Sequence, residues 1–211
     1  MPRAALKLAI LLTLCLTSSL VLIRAQPYQD RARPAVIQTD CPAPCFMGIR
    51  PDYTSMRRAV SIIESHDWIA PGVGFPSQVR NAVFYDAAVP RIRIRWRWRD
   101  TLPSWVNFTE PGQLTFENRE VRDLMISTNL SLGEIFLAFG NPSRIVFTTL
   151  SSSGAPAQRF GYAAWYAEEG MYITAEGNCS TWDYYHASVY ITFRISAPQL
   201  SETESQRPTC I

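Results

Sequence analysis

Lysine is almost missing from this chain: Lys7 is the only one in 211 residues, and it lies close to the N-terminus. A Schiff-base amine or the lysine of a phosphate-binding loop is thereby excluded for everything downstream. Histidine is nearly as scarce, with His66 and His186 alone, which leaves little for general-base chemistry or an imidazole-rich metal site. His66 reads as a helix-end residue beside Asp67, and His186 as one residue of the polar face of a final strand. No Gly-x-Ser-x-Gly elbow, His-Glu-x-x-His helix or glycine-rich phosphate loop occurs. No cofactor or metal is expected. Glu168 and Glu169 precede Gly170 and read as a hairpin turn, although a carboxylate such as Glu168 or Glu176 acting with His186 is the enzyme alternative, an extracytoplasmic hydrolase.

Cysteine is also sparse. Cys15 lies in an uncharged stretch from Leu8 to Ile23, preceded by Arg3 and Lys7 and followed by Arg24 and Ala25. This layout predicts a signal peptide over residues 1–25, or a membrane anchor if the segment is kept, and in either case an extracytoplasmic protein. The bulky Leu14 before Cys15 argues against lipoprotein processing. In an exported chain the remaining Cys41, Cys45, Cys179 and Cys210 predict one or two disulfides, with three full connectivities open. Zinc is the weaker reading, because prolines occupy the gap between Cys41 and Cys45 and no second close pair exists. With Arg3, Lys7 and Arg24 set aside, residues 26–211 hold 17 arginines against 18 acids, a balance of −1. The mature chain is not a basic one.

What the sequence does have is a run of alternating arginines: Arg91, Arg93, Arg95, Arg97 and Arg99, interleaved with Ile92, Ile94, Trp96 and Trp98. Only a strand separates these two sets onto opposite faces, with a guanidinium every ~6.6 Å on one of them. The five arginines form the candidate binding face, for an envelope protein or an acidic polymer. Nucleic acid is disfavoured, since the tryptophans point away from the arginines and one flat surface cannot use both.

Along the chain, residues 26–40 are polar and proline-bearing and predict a flexible tether. Thr54 or Ser55 then caps a helix with apolar Met56, Ala59, Val60 and Ile63, ending near Ser65. Pro71, Gly72, Gly74 and Pro76 mark a loop. Strands follow at 79–86, along the arginine run, at 113–117 and at 120–126, the last two joined around Asn118. Then the pattern restarts. Ser131 and Glu134 form a capping box, Leu132, Ile135, Phe136 and Phe139 fall on one helical face, and Gly140 and Pro142 close it. Four more strands are predicted at 144–150, 158–167, 171–176 and 185–195, with a turn at 151–156. The matched helix starts at Ser55 and Ser131 imply an internal repeat of about 75 to 80 residues.

Two stretches carry a family likeness. Pro44-Cys45-Phe46-Met47-Gly48-Ile49-Arg50-Pro51 resembles the opening of a group of uncharacterised exported bacterial proteins, and Leu130 to Pro142 resembles the helix-then-Gly-x-Pro segment of outer-membrane assembly lipoproteins and of the tandem β-lactamase inhibitory proteins. The resemblance implies an α+β fold of two similar units, each a short helix on a roughly four-stranded antiparallel sheet, and a role in binding proteins without catalysis. The expected organisation is 1–25 signal or anchor, 26–40 tether, 41–126 first unit, 127–196 second unit and 197–211 polar tail.

Overall fold

Both matched serines start helices in the computed structural model, which describes residues 7, 11–19, 21, 32–37, 41–70, 83–86, 89–150, 159–178 and 180–197. The loop at 71–76, the turn at 151–156, Cys179, Cys210 and the chain beyond 197 lie outside these residues. Residues 1–30 and 31–211 are two separate compact units. In the first, residues 11–19 are helical, with Leu11, Leu12, Leu14 and Leu16 exposed. Among the described residues no helix is long and apolar enough to cross a membrane.

The second unit opens with a short helix α1 (Ala32–Val36) inside the segment expected to be a tether. Its cause is tertiary: Ala32 and Val36 fall on one face and are both fully buried, and Arg33 lies over the Phe139 ring at 6.0 Å. Helix α2 (Met56–Ser65) is capped by Ser55, whose Oγ accepts from Arg58 N at 3.5 Å, and it buries Ala59 and Ile63. Helix α3 (Leu132–Phe139) carries the full capping box: Glu134 N donates to Ser131 Oγ at 3.2 Å, and Ser131 N donates to Glu134 Oε2 at 2.8 Å. Leu132, Ile135 and Ala138 are its buried face.

Strands β1 (Val83–Asp86), β2 (Val89–Trp96), β3 (Gly112–Glu117) and β4 (Glu120–Ser131) follow α2. Strands β5 (Arg144–Leu150), β6 (Arg159–Tyr166), β7 (Met171–Asn178) and β8 (Ser188–Phe193) follow α3, with helix α4 (Thr181–His186) between β7 and β8. All pairings are antiparallel and make one eight-stranded sheet in the order β1-β2-β3-β4-β8-β7-β6-β5. The chain is therefore α+β, and each four-strand meander ends in the strand that joins it to the other. The β3–β4 hairpin turns on Asn118 and Arg119, both at positive φ, as a two-residue turn between right-twisted strands requires.

Three expectations are corrected. β2 ends at Trp96 rather than Arg99; beyond it Trp98 bridges Ile69, and Arg99 N donates to Trp68 O at 2.9 Å. β4 runs to Ser131 rather than stopping at Ile126, because the 104–107 segment takes over where β3 has ended: Asn107 N donates to Ser127 O and Asn129 N to Trp105 O. Residues 181–186 are helix α4, not the start of a strand, since Ser180 Oγ accepts from Asp183 N at 3.0 Å and nucleates a turn there.

The core lies between the sheet and the helices. Ile94, Trp96, Leu114, Phe116, Leu124, Ile126, Ile173, Val189, Ile191 and Phe193 are all buried in it, so the apolar half of the arginine run is covered as its pattern demands. Trp98 is buried too, its indole N–H donating to Glu110 O at 3.0 Å. Residues 41–49 close one end of this core. Cys41 and Cys45 form a disulfide, and the fully buried Phe46 stacks on Phe193 at 5.4 Å and meets Trp105 edge-on at 6.0 Å.

Candidate binding face of the sheet

Alternation gives each strand an inner set facing the core and an outer set, and the register carries both across the sheet. Ile94 pairs with Leu114 and Leu114 with Leu124 on the inner side; Arg95 pairs with Gln113 and Gln113 with Met125 on the outer side. Followed to the far edge, that outer row runs Arg95, Gln113, Met125, Thr192, Tyr172, Trp165, Arg144. Six strand steps at ~4.8 Å make it roughly 29 Å long. The neighbouring row on one side is Ser127, Tyr190, Thr174, Ala163, Val146. Tyr190 is 38% exposed, and Met125, Tyr172 and Thr192 are half-buried.

The rows on the other side are charged and mutually compensated. Arg93, Thr115 and Asp123 are cross-strand neighbours, and Arg194 Nε lies 3.4 Å from Asp123 Oδ1. Arg91 pairs with Glu117; Arg122 Nε is 3.6 Å from Glu117 Oε2, Arg122 Nη1 is 3.2 Å from Asp52 Oδ2, and Arg122 Nη2 donates to Ser196 Oγ at 2.7 Å. Burial pushes the Asp123 carboxyl above its ordinary value in spite of Arg194, Arg122 and Arg91 around it. Burial likewise raises Tyr172, with Arg194 opposing. The outer face thus changes character across the sheet, from ion-paired over β2–β4 to aromatic and hydroxyl-bearing over β6–β8.

The five arginines expected to act together are not equivalent. Arg91 and Arg93 are engaged within the fold. Arg99 Nε donates to Ile69 O at 2.7 Å, beyond the end of β2. Arg95 is exposed and its Nε reaches only the neutral Gln113 Oε1 at 3.2 Å. Arg97 is exposed, and among the described residues its side chain has neither an ion pair nor a hydrogen bond. Among the described residues Arg95, Arg97 and Arg99 make no ion pair, and of these Arg95 and Arg97 are not turned onto a backbone carbonyl.

Of the groups in the hydrolase alternative, Glu168 lies at the opposite end of β7 from Glu176 and α4. Glu176 is on the outer side of β7, where it pairs with Arg159 at 3.2 Å. His186 ends α4, on the helix side, where Tyr184 packs against Phe136, Phe147, Phe160 and Tyr162. Glu168 is exposed in the β6–β7 turn. Among the described residues no group of three or more His, Cys, Asp or Glu is placed to hold a metal ion. His66 follows α2, its Nδ1 accepting from Trp68 N at 3.2 Å, and burial lowers its pKa against the pull of Asp67.

The sequence gives the last strand a polar face but no sign of Trp165 and Tyr172 as outer residues. In β6 both faces carry apolar residues, Phe160, Tyr162, Ala164 and Tyr166 inside and Ala163 and Trp165 outside, so no period separated them. Comparison of the chain with protein-family models, curated proteins and solved structures found no match in any of the three.

Proposed function

We propose that residues 31–211 are a non-catalytic module that binds a protein outside the cytoplasm through the outer face of the sheet. The observation that carries this reading is the asymmetry of the sheet: its apolar residues sit under the helices, while the far side keeps half-exposed Tyr172, Tyr190 and Met125 with Arg95 at the margin. Tyrosine, methionine and arginine are the residues over-represented in protein contact surfaces. An acidic polymer fits less well, because a polyanion needs a continuous track of cations, and along the arginine run Arg91 and Arg93 are engaged within the fold and Arg99 is turned onto Ile69 O. The Cys41–Cys45 disulfide favours an oxidising compartment, consistent with export through the N-terminal segment. We read the two meanders, each preceded by a serine-capped helix, as two similar units fused edge to edge.

The test is recovery of partners from envelope extract on the full chain beside two variants, Arg95→Ala/Arg97→Ala and Tyr172→Ala/Tyr190→Ala. A partner identified in this way and re-measured with purified components should bind at least ten-fold more weakly to the tyrosine variant, since truncated interface aromatics commonly cost above ~1.4 kcal/mol. A partner bound equally by wild type and both variants uses another surface, and the reading then fails.

A further inference from the structure

β1 (Val83–Asp86) forms one edge of the sheet and β5 (Arg144–Leu150) the other. β5 is seven residues long and pairs with β6 without a bulge from Arg144↔Trp165 to Leu150↔Arg159. Among the described residues no strand pairs with its other side, which presents a straight row of backbone donors and acceptors. The strand, Arg-Ile-Val-Phe-Thr-Thr-Leu, contains no proline, lysine or acid that would blunt it. Ile145, on the core side at this rim, is 38% exposed, and Phe147 is only half-buried against Tyr162 and Tyr184.

We infer that β5 is the contact between two copies of this chain, pairing antiparallel with β5 of the second copy about a two-fold axis normal to the sheet. The chain already contains the same kind of join, since β4 and β8 connect two meanders antiparallel with the apolar residues of both on one side. A two-fold axis of this direction keeps the helices of both copies on one side. Ile145 and Phe147 of one copy then meet the identical apolar rim of the other, while Val146 and Thr148 lengthen the outer face. An unrelated peptide could use the backbone edge but would have to bring its own apolar side chains to cover that rim. Charge also permits self-pairing: with Phe147 opposite its own copy, the two Arg144 residues stand ~20 Å apart along the strands, well beyond the ~8 Å screening length of physiological salt. The contact is one strand wide, smaller than the ~1,600 Å² of a standard interface, so association is of micromolar order.

Sedimentation equilibrium of the full chain in a nonionic detergent tests this, from low micromolar to several hundred micromolar protein. Wild type should show a monomer–dimer equilibrium, and Ile145→Lys and Thr148→Lys should each weaken it at least ten-fold while keeping the native circular dichroism. Phe108→Lys, at a 59% exposed position shortly before β3, which lies five strands from β5, and Arg95→Ala/Arg97→Ala should leave it unchanged. Amide exchange supplies a second readout: protection within residues 144–148 should rise with protein concentration in wild type. A wild type that stays monomeric throughout, or a dimer indifferent to both edge lysines, overturns the inference.

Discussion

Gly112 is the first residue of β3 and pairs with Trp96 of β2, whose indole lies flat over it. A Cβ at this position would come within 2.7 Å of Trp96 Nε1 and closer still to two ring carbons, so Gly112→Ala must displace a side chain that is 1% exposed. Trp96 has little room to yield, because Trp98 stands edge-on to it at 5.4 Å. Overpacking of this kind costs ~1–3 kcal/mol. Replacing glycine in a strand returns ~0.5–1 kcal/mol through the unfolded chain, leaving a net loss of about 1 kcal/mol at the middle of these ranges. For a unit of this size that corresponds to a fall in Tm of roughly 2–4 °C, measurable by calorimetry or circular dichroism. The same substitution in a Trp96→Leu background meets no ring and should be neutral or mildly stabilising. Equal losses in the two backgrounds, or no loss in the first, would refute the argument that the glycine exists to seat the indole.

Ser131→Ala removes the side-chain half of a capping box, the Oγ that accepts from Glu134 N and donates to Glu134 Oε2, and should cost about 1 kcal/mol, whereas Ser55→Ala loses a single contact of 3.5 Å and should cost less; paired denaturant titrations compare the two. His66 has its pKa lowered by burial and accepts the Trp68 N–H in its neutral form. The unfolded chain therefore takes up the proton more readily, so this contribution is present above the ordinary histidine value of 6.5 and is lost as pH falls through it. The stability of wild type should fall between neutral and mildly acidic pH, and His66→Asn should flatten that dependence. Cys41 and Cys45 are four residues apart, a loop short enough that its closure contributes only about 2 kcal/mol, so Cys41→Ser/Cys45→Ser should fold and melt a few degrees lower, as should the reduced protein.

Patterns that live within a few residues were legible before any coordinates. The caps at Ser55 and Ser131, the hairpin at Asn118 and the burial of Ile94, Trp96 and Trp98 all follow from periodicity and turn chemistry. Elements that depend on distant partners were not. The tail of β4 holds Ser127, Thr128 and Asn129, whose alternation is poor; they are strand because residues 104–107 and Val189 O accept and donate hydrogen bonds there. Helix α4 hid behind the β-favouring tyrosines at 184 and 185; the Tyr184 ring is drawn into the aromatic cluster with Phe136 and Phe160, while Tyr185 is exposed and edge-on to Tyr184.

The order of residues by itself decided which side chains share a face, since a strand repeats every two residues and a helix every 3.6 whatever surrounds them. Five arginines opposite two isoleucines and two tryptophans had to be split across a sheet. Which of those arginines remain available was decided only by the tertiary structure. Arg91 and Arg93 were placed among Glu117, Asp123 and their neighbours, and Arg99 was turned onto Ile69 O, because β2 stops at Trp96 and its register with β3 is set by the packing of Ile94 on Leu114. Charge compensation is a property of side chains that meet in space from distant parts of the chain, so it comes into being only when the register does.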